Sequence, residues 1–270
     1  MSKIITDVHT HSNFSPDGYS ALEDMLKSAC EMGVEYFGVS EHFDYENGKR
    51  GYFWADEKKY FPTARDLQKR YEGKLHFLVG AEIGYTPNKN AHWDIQNVLQ
   101  EYKPDFVVNS VHGMSGLFDG DPNGKARVYG KYLSAVEESL DVPYHYDIVG
   151  HLGFIARYAE YEDRKLTYRE FKPQLDRIFK KIIEKGKILE VNSKLAPARF
   201  EGDPYLFFTP DKSVLKAYYE AGGRKVSYAS DAHGVRDIAR NREKVVERLK
   251  EIGFTHLTVP CQGEHIEIEL

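Results

Sequence analysis

The sequence predicts an α/β fold, a parallel sheet with helices outside it, and a closed or nearly closed barrel suits its length better than two small domains. Three observations predict this. Short aliphatic and β-branched runs alternate with longer segments of helical period, about seven times along the chain, as βα units do. No Pro/Gly/Ser linker, low-complexity tract or repeat interrupts the alternation, so the 270 residues read as one domain, 1–270. Polar and ionisable residues recur where the apolar runs stop, which in a parallel barrel is one face, the carboxyl end of the strands. An open doubly wound sheet shares this periodicity and stays open on these grounds alone.

Each element follows from local pattern. Lys3–Val8 reads as a strand, and Ala21–Met32 as a helix with Leu22, Met25, Leu26 and Ala29 on one face. Tyr36–Ser40 is the second strand; the charged helical region around Glu57–Tyr71 is expected to break or restart at Pro62. Leu75–Ala81, Phe106–Val111, Ile148–Gly150, Ile188–Val191 and Val226–Ala229 continue the strands. Ala91–Tyr102, Ala126–Leu140, Phe171–Lys185, Val214–Ala221 and Glu243–Ile252 continue the helices, with Gly186 a stop signal for the third of these. His256–Val259 adds a last strand.

Composition narrows the function classes. A net charge of −5 supplies no basic field, so nucleic acid is not expected as a partner. Two cysteines, Cys30 and Cys261, exclude a disulfide framework and a Cys-rich zinc module, and read as buried free thiols in a reducing compartment. No signal peptide and no apolar run of about 18 residues is visible, so a soluble cytoplasmic protein without a membrane partner is expected. Histidine is the unusual item, with eleven residues, several directly after apolar runs.

The strand ends carry the chemistry. Ile4-Ile5-Thr6 leads to Asp7, His9 and His11; Phe37–Ser40 to Glu41 and His42; Phe77–Ala81 to Glu82; and Phe106–Val111 to His112. Ile148-Val149-Gly150 leads to His151, Ile188-Leu189 to Glu190 and Asn192, and Val226–Ser230 to Asp231 and His233. One such residue is ordinarily a hydrogen-bonded core or rim group. Seven strands ending this way are not explained by packing, because an apolar core gains nothing from that many polar groups. In His9-Thr10-His11 residues i and i+2 share a strand face, so both imidazoles can meet one ion. Imidazole and carboxylate donors without thiolates suit zinc, manganese or iron, and there are too many for one tetrahedral ion.

In order and spacing these motifs resemble the polymerase and histidinol phosphatase (PHP) superfamily, over Asp7 to His233. The likeness is greatest to its stand-alone histidinol-phosphate phosphatases, through Ser12–Gly18, Val39-Ser40-Glu41-His42, Gly80-Ala81-Glu82, Ser110-Val111-His112, Gly150-His151-Leu152, Glu190-Val191-Asn192 and Ser230-Asp231-Ala232-His233. The resemblance implies a distorted (β/α)7 TIM-like barrel with three divalent metals per chain, Zn, Mn or Fe. It implies His9, His11, Glu82 and Asp231 on the first metal. Glu82 would bridge to a second held by His112 and His151, and Asp17, His42 and His233 would hold the third. Two departures stand out: Asp17 occupies a position where many members have His, and Gly153 replaces the usual Asp after Gly150-His151-Leu152. His145 is an alternative to His151, while His76, His92, His256 and His265 read as structural or surface residues.

Three divalent ions offset by Glu82, Asp231 and Asp17 would leave roughly +3, a match for a phosphate monoester dianion. The expected reaction is in-line attack by metal-bound hydroxide without a phosphoenzyme, and the resemblance implies L-histidinol phosphate as the substrate, in histidine biosynthesis. Asp17, His42 and Arg157 are the expected catalytic groups, with Arg157, Lys194 and Arg199 for phosphate and Asp119 for a substrate amine. Tyr52-Phe53-Trp54, Phe118 and Tyr205–Phe208 are aromatic candidates for pocket walls. Alternatives are a PHP phosphoesterase on another phosphate ester or a nucleic-acid 3′ end, an amidohydrolase-like deaminase or lactonase, and a non-catalytic metal-binding regulator.

Overall fold

The structure is a computed structural model that describes residues 5–112, 123–194 and 209–270. Its strands are β1 (Ile5–Asp7), β2 (Val34–Glu46), β3 (Lys49–Trp54), β4 (His76–Gly84), β5 (Phe106–Ser110), β6 (Ile148–Val149), β7 (Ile188–Asn192), β8 (Val226–Ala229), β9 (His256–Cys261) and β10 (Glu264–Glu269). Its helices are α1 (Leu22–Glu31), α2 (Glu57–Arg70), α3 (Lys89–Tyr102), α4 (Lys125–Ser139), α5 (Tyr168–Glu184), α6 (Lys212–Glu220) and α7 (Arg242–Ile252). Seven strands pair in parallel in the order β1-β2-β4-β5-β6-β7-β8. Beyond β1 and β8 the chain ends meet through a parallel bridge, Thr10 to Ala232, with Asp231 N–H donating to the His9 carbonyl at 3.0 Å. The barrel is thus nearly closed at its carboxyl end, which excludes the open doubly wound sheet that the alternation had left open. Among the described residues no helix is long and apolar enough to cross a membrane.

Packing explains the layers. The outer helices bury single apolar stripes, such as Leu22, Met25, Leu26 and Ala29 on α1, against the outward faces of the strands. Inside the barrel a separate apolar cluster forms from Val8, Leu78, Phe106, Val108, Ile148 and Ile188. The Phe106 ring lies where side chains at Gly38 and Gly80 would stand, within 2.8 and 2.3 Å of a Cβ there, so both strands need glycine at those points.

Three elements differ from the sequence expectation. α2 runs unbroken through Pro62, because proline already has a helical φ and the buried stripe of Tyr60, Phe61, Ala64 and Leu67 outweighs the one hydrogen bond it forfeits. β2 extends past Ser40 to Glu46 and turns back into antiparallel β3 through Asn47 and Gly48, both at positive φ. The last strand is half of a hairpin: Gln262 and Gly263, again at positive φ, return β9 into β10. Val259 and Ile268 of that hairpin join the interior cluster, and Gln262 N–H binds the Asp105 carbonyl just before β5. The hairpin therefore stoppers the amino end of the barrel and leaves the carboxyl end as the mouth.

Candidate metal centre

The nine residues expected to hold metal all lie at the mouth. Strand register brings this about: His42 on β2 faces Glu82 on β4, and the β1–β8 closure sets Asp231 beside His9 and His11. Asp7 secures that closure, its buried carboxylate accepting the backbone N–H groups of Ser230 and Ala239, both at 2.9 Å. Asp231 sits at φ 52, a left-handed conformation that aspartate tolerates better than most residues.

Glu82 is the centre of the arrangement. Its fully buried carboxylate lies 3.3 Å from His9 Nε2, 3.5 Å from His11 Nε2, 2.8 Å from His42 Nδ1, 3.1 Å from His112 Nε2 and 3.0 Å from His151 Nε2. At the rim Asp17 Oδ2 is 3.0 Å from His233 Nε2 and Asp17 Oδ1 is 3.7 Å from His42 Nε2. Among the described residues three ligand groupings are compact enough for one ion each: His9, His11 and Asp231; His42, Glu82 and His112; and His11, His42 and His233. The first matches the expected set without Glu82. The other two place His42 and His11 at junctions between neighbouring positions.

Electrostatics show what the cluster can hold. Burial raises the cost of ionising Glu82, yet His9, His112 and His42 hold its carboxyl well below the usual range. Burial opposes protonation of His9, and Glu190 and Glu82 overturn it, holding the imidazole well above its ordinary pKa. His11, buried between His42 and His233, is driven the other way. These rings cannot all carry protons beside one another. His9 Nε2, both nitrogens of His11, His42 Nδ1 and Glu82 Oε2 are buried without a hydrogen-bond partner. Such groups are costly unless something binds them. Imidazole nitrogens and carboxylate oxygens converging in this way are what divalent cations take, so the residues present fit the metals that the sequence implies.

Several imidazoles are steered from behind. Glu190 Oε2 accepts from His9 Nδ1 at 2.6 Å, while its Oε1 accepts from the His151 backbone N–H at 3.1 Å. Asp44 Oδ2 takes His112 Nδ1 at 2.8 Å, and the Asp231 carbonyl takes His233 Nδ1 at 3.0 Å. Each contact leaves Nε2 facing the cluster. Behind His42, the buried Glu41 carboxylate accepts from Ser12 N–H at 3.0 Å, from the Ser12 hydroxyl at 2.5 Å and from the Ser15 hydroxyl, fixing the loop that carries Asp17. The sequence reading assigned no role to Asp44, Glu41 or Glu190. For Asp44 and Glu190 the usable signal was the i, i+2 spacing that puts Asp44 on His42's strand face and Glu190 on that of Asn192.

The expected phosphate-binding cations occupy different places. Arg157 is buried, donating to Asp231 Oδ2 at 3.0 Å, Asn192 Oδ1 at 2.5 Å and Thr209 Oγ1 at 3.2 Å. It stands behind Asp231 and is not among the residues lining the mouth. Lys194 does line it, with Nζ 3.3 Å from Asp231 Oδ1. Arg199 and Asp119, with Phe118 and Tyr205–Phe208, lie outside the described residues. The cavity at the mouth has a volume of about 430 Å³ and, beside the polar cluster, apolar walls from Phe53, Phe154 and Tyr158. Phe53 is the member of Tyr52-Phe53-Trp54 that faces it; Trp54 packs inward on Phe43, and Tyr52 is exposed. His145 pairs with Asp147 at 3.0 Å and does not join the cluster. His76 stacks on Tyr36, and His92 binds the Thr86 carbonyl.

Residues 7–194 match the PHP domain family. A protein of Thermotoga maritima named probable histidinol-phosphatase is 30% identical over 258 residues, covering 94% of each chain. A histidinol-phosphatase of Lactococcus lactis subsp. lactis is 26% identical over 257 residues, 93% of this chain and 92% of that one. The crystal structure of histidinol phosphate phosphatase from Lactococcus lactis subsp. lactis, complexed with zinc, L-histidinol and phosphate, aligns with a TM-score of 0.82 at 24% identity. It covers 98% of this chain and 100% of that one, and at that identity the likeness speaks for the fold.

Proposed function

The chain belongs to the PHP domain family, and from that premise we propose that it is a divalent-metal-dependent phosphomonoesterase hydrolysing L-histidinol phosphate to L-histidinol and phosphate in histidine biosynthesis. The observation that carries the reading is the convergence of five imidazoles on buried Glu82 at the floor of a cavity that Lys194 also lines. We assign the ligands as His9, His11, Glu82 and Asp231 for one ion, Glu82, His112 and His151 for a second, and Asp17, His42 and His233 for a third. Bound there, zinc, manganese or iron would acidify a water and offset the charge of the phosphate dianion.

The chain's own residues do the rest. Lys194 Nζ reaches the phosphate oxygens from the cavity wall, and Arg157 holds Asp231 in its left-handed turn. Asp17 and His42 stand at the rim, where the carboxyl of Asp17 is 41% exposed and beside His233 and His42 is held below its ordinary pKa. As water oxygen bonds to phosphorus and the ester P–O bond breaks, the departing alkoxide takes its proton from solvent water entering at the rim that Asp17 and His42 line. Phe53, Phe154 and Tyr158 offer flat walls for the imidazole ring of histidinol. Asp119 and Arg199 remain in the proposal as groups for the substrate amine and phosphate. We place the protein in the cytoplasm, in keeping with free Cys30 and Cys261.

The test is phosphate release from histidinol phosphate and from generic phosphomonoesters, with the metal content of the protein determined. A preference of several hundredfold for histidinol phosphate is expected, together with loss of activity on chelation. Equal rates on all esters would overturn the substrate, and full activity in metal-depleted protein would overturn the chemistry.

A further inference from the structure

Asp44 stands two residues beyond His42 on β2, directly opposite Gly84 on β4, as His42 stands opposite Glu82. Its Oδ2 lies 2.8 Å from His112 Nδ1, and His112 Nε2 then points inward, 3.1 Å from Glu82 Oε1 and 3.2 Å from His151 Nε2. A neutral imidazole has one N–H and one lone pair, so a carboxylate on Nδ1 holds the proton there and leaves the lone pair on Nε2. The seat of the carboxylate is equally specific. A Cβ added to Gly84 would come within 2.4 Å of Asp44 Oδ1 and 2.7 Å of Oδ2, so the group lies against the bare Cα of the facing strand. Gly84 has no positive φ, so an alanine there fits the backbone, and the three atoms nearest its Cβ would all belong to the Asp44 carboxylate.

We propose that Asp44 is a positioning residue that fixes the tautomer and orientation of His112, and that Gly84 is present to give its carboxylate that seat. The histidine lies after β5 and the carboxylate on β2, so the contact also locks the angle between two walls of the mouth. Asp44 acts through His112 and needs no contact with the substrate. Outer carboxylates of this kind typically change metal affinity by about 10–100-fold when removed. The inference rests on the reading of His112 as a ligand to a divalent ion.

The experiment compares D44N, D44A, G84A and H112A with the parent in the full chain. Zinc retention is measured by chelator competition, and histidine ring N–H protons of the zinc-loaded proteins are followed by proton–nitrogen NMR. We expect the parent to show a slowly exchanging low-field N–H proton that H112A lacks. D44A and G84A lose that proton and hold their weakest zinc about 10–100-fold less tightly. D44N, whose amide oxygen can still accept from Nδ1, recovers most of both readouts. Retention of the proton and of parental affinity in D44A overturns the role of Asp44. Parental behaviour of G84A alone overturns the role of the seat. If H112A itself retains parental zinc, the ligand assignment has failed, a result distinct from either.

Discussion

Glu41 allows the energetic cost of building this site to be measured apart from catalysis. It is fully buried behind His42, and burial pushes its carboxyl from 4.5 up to about 7, although the hydrogen bonds from Ser12 and Ser15 pull the other way. One pKa unit is about 1.4 kcal/mol, so carrying the ionised form costs the fold about 3 kcal/mol once the pH exceeds the folded pKa. Between 4.5 and about 7 the native state keeps a proton that the unfolded chain has released, so this group's contribution to stability falls as pH rises through that window. Glu41→Gln keeps the shape, offers its carbonyl oxygen to Ser12 and its amide to the Ser15 oxygen, and never ionises. The metal-free variant should therefore gain on the metal-free parent by about 3 kcal/mol between pH 5 and pH 8. Urea unfolding of both proteins with chelator present reads this, because the groups that titrate independently of Glu41 are common to both and cancel. A difference in unfolding free energy that does not vary with pH refutes the reasoning.

Other expectations follow from the same geometry. His9→Ala and Asp231→Ala should each abolish phosphate release and lower the metal content, checked together by assay and elemental analysis. Lys194→Ala should mainly raise KM for the phosphate ester, by about tenfold for the loss of one charge-assisted contact worth about 1.5 kcal/mol. Arg157→Met should instead lower kcat and cost about 3–5 kcal/mol of stability, because it strips a buried partner from Asp231; steady-state kinetics and urea unfolding separate the two. Ile268→Ala, in the hairpin that stoppers the barrel, should cost about 2–5 kcal/mol and leave kcat unchanged, since it lies at the end opposite the mouth.

The sequence by itself determined the alternation of strand and helix, the face on which ionisable residues gather, and the pairing of His9 with His11. All are local: strand and helix periods, and the i, i+2 rule, act within a few residues. The two hairpins were also written locally, in Asn47-Gly48 and Gln262-Gly263, but lay beyond where the apolar runs stop, so the runs alone did not reveal them. Only the tertiary structure decided that Glu82 stands between five imidazoles, because its position depends on strand register and on the closure of β1 against β8. The direction of Arg157 was likewise undecided: facing inward to the mouth or back onto Asp231 satisfies the same strand-end pattern, and buried Asn192 and Thr209 complete the second choice. Asp44 meets His112 across 68 residues, and no spacing along the chain carries that contact. Donor types are chosen by chemistry that one segment can display, but their meeting at one ion is set by how the barrel closes.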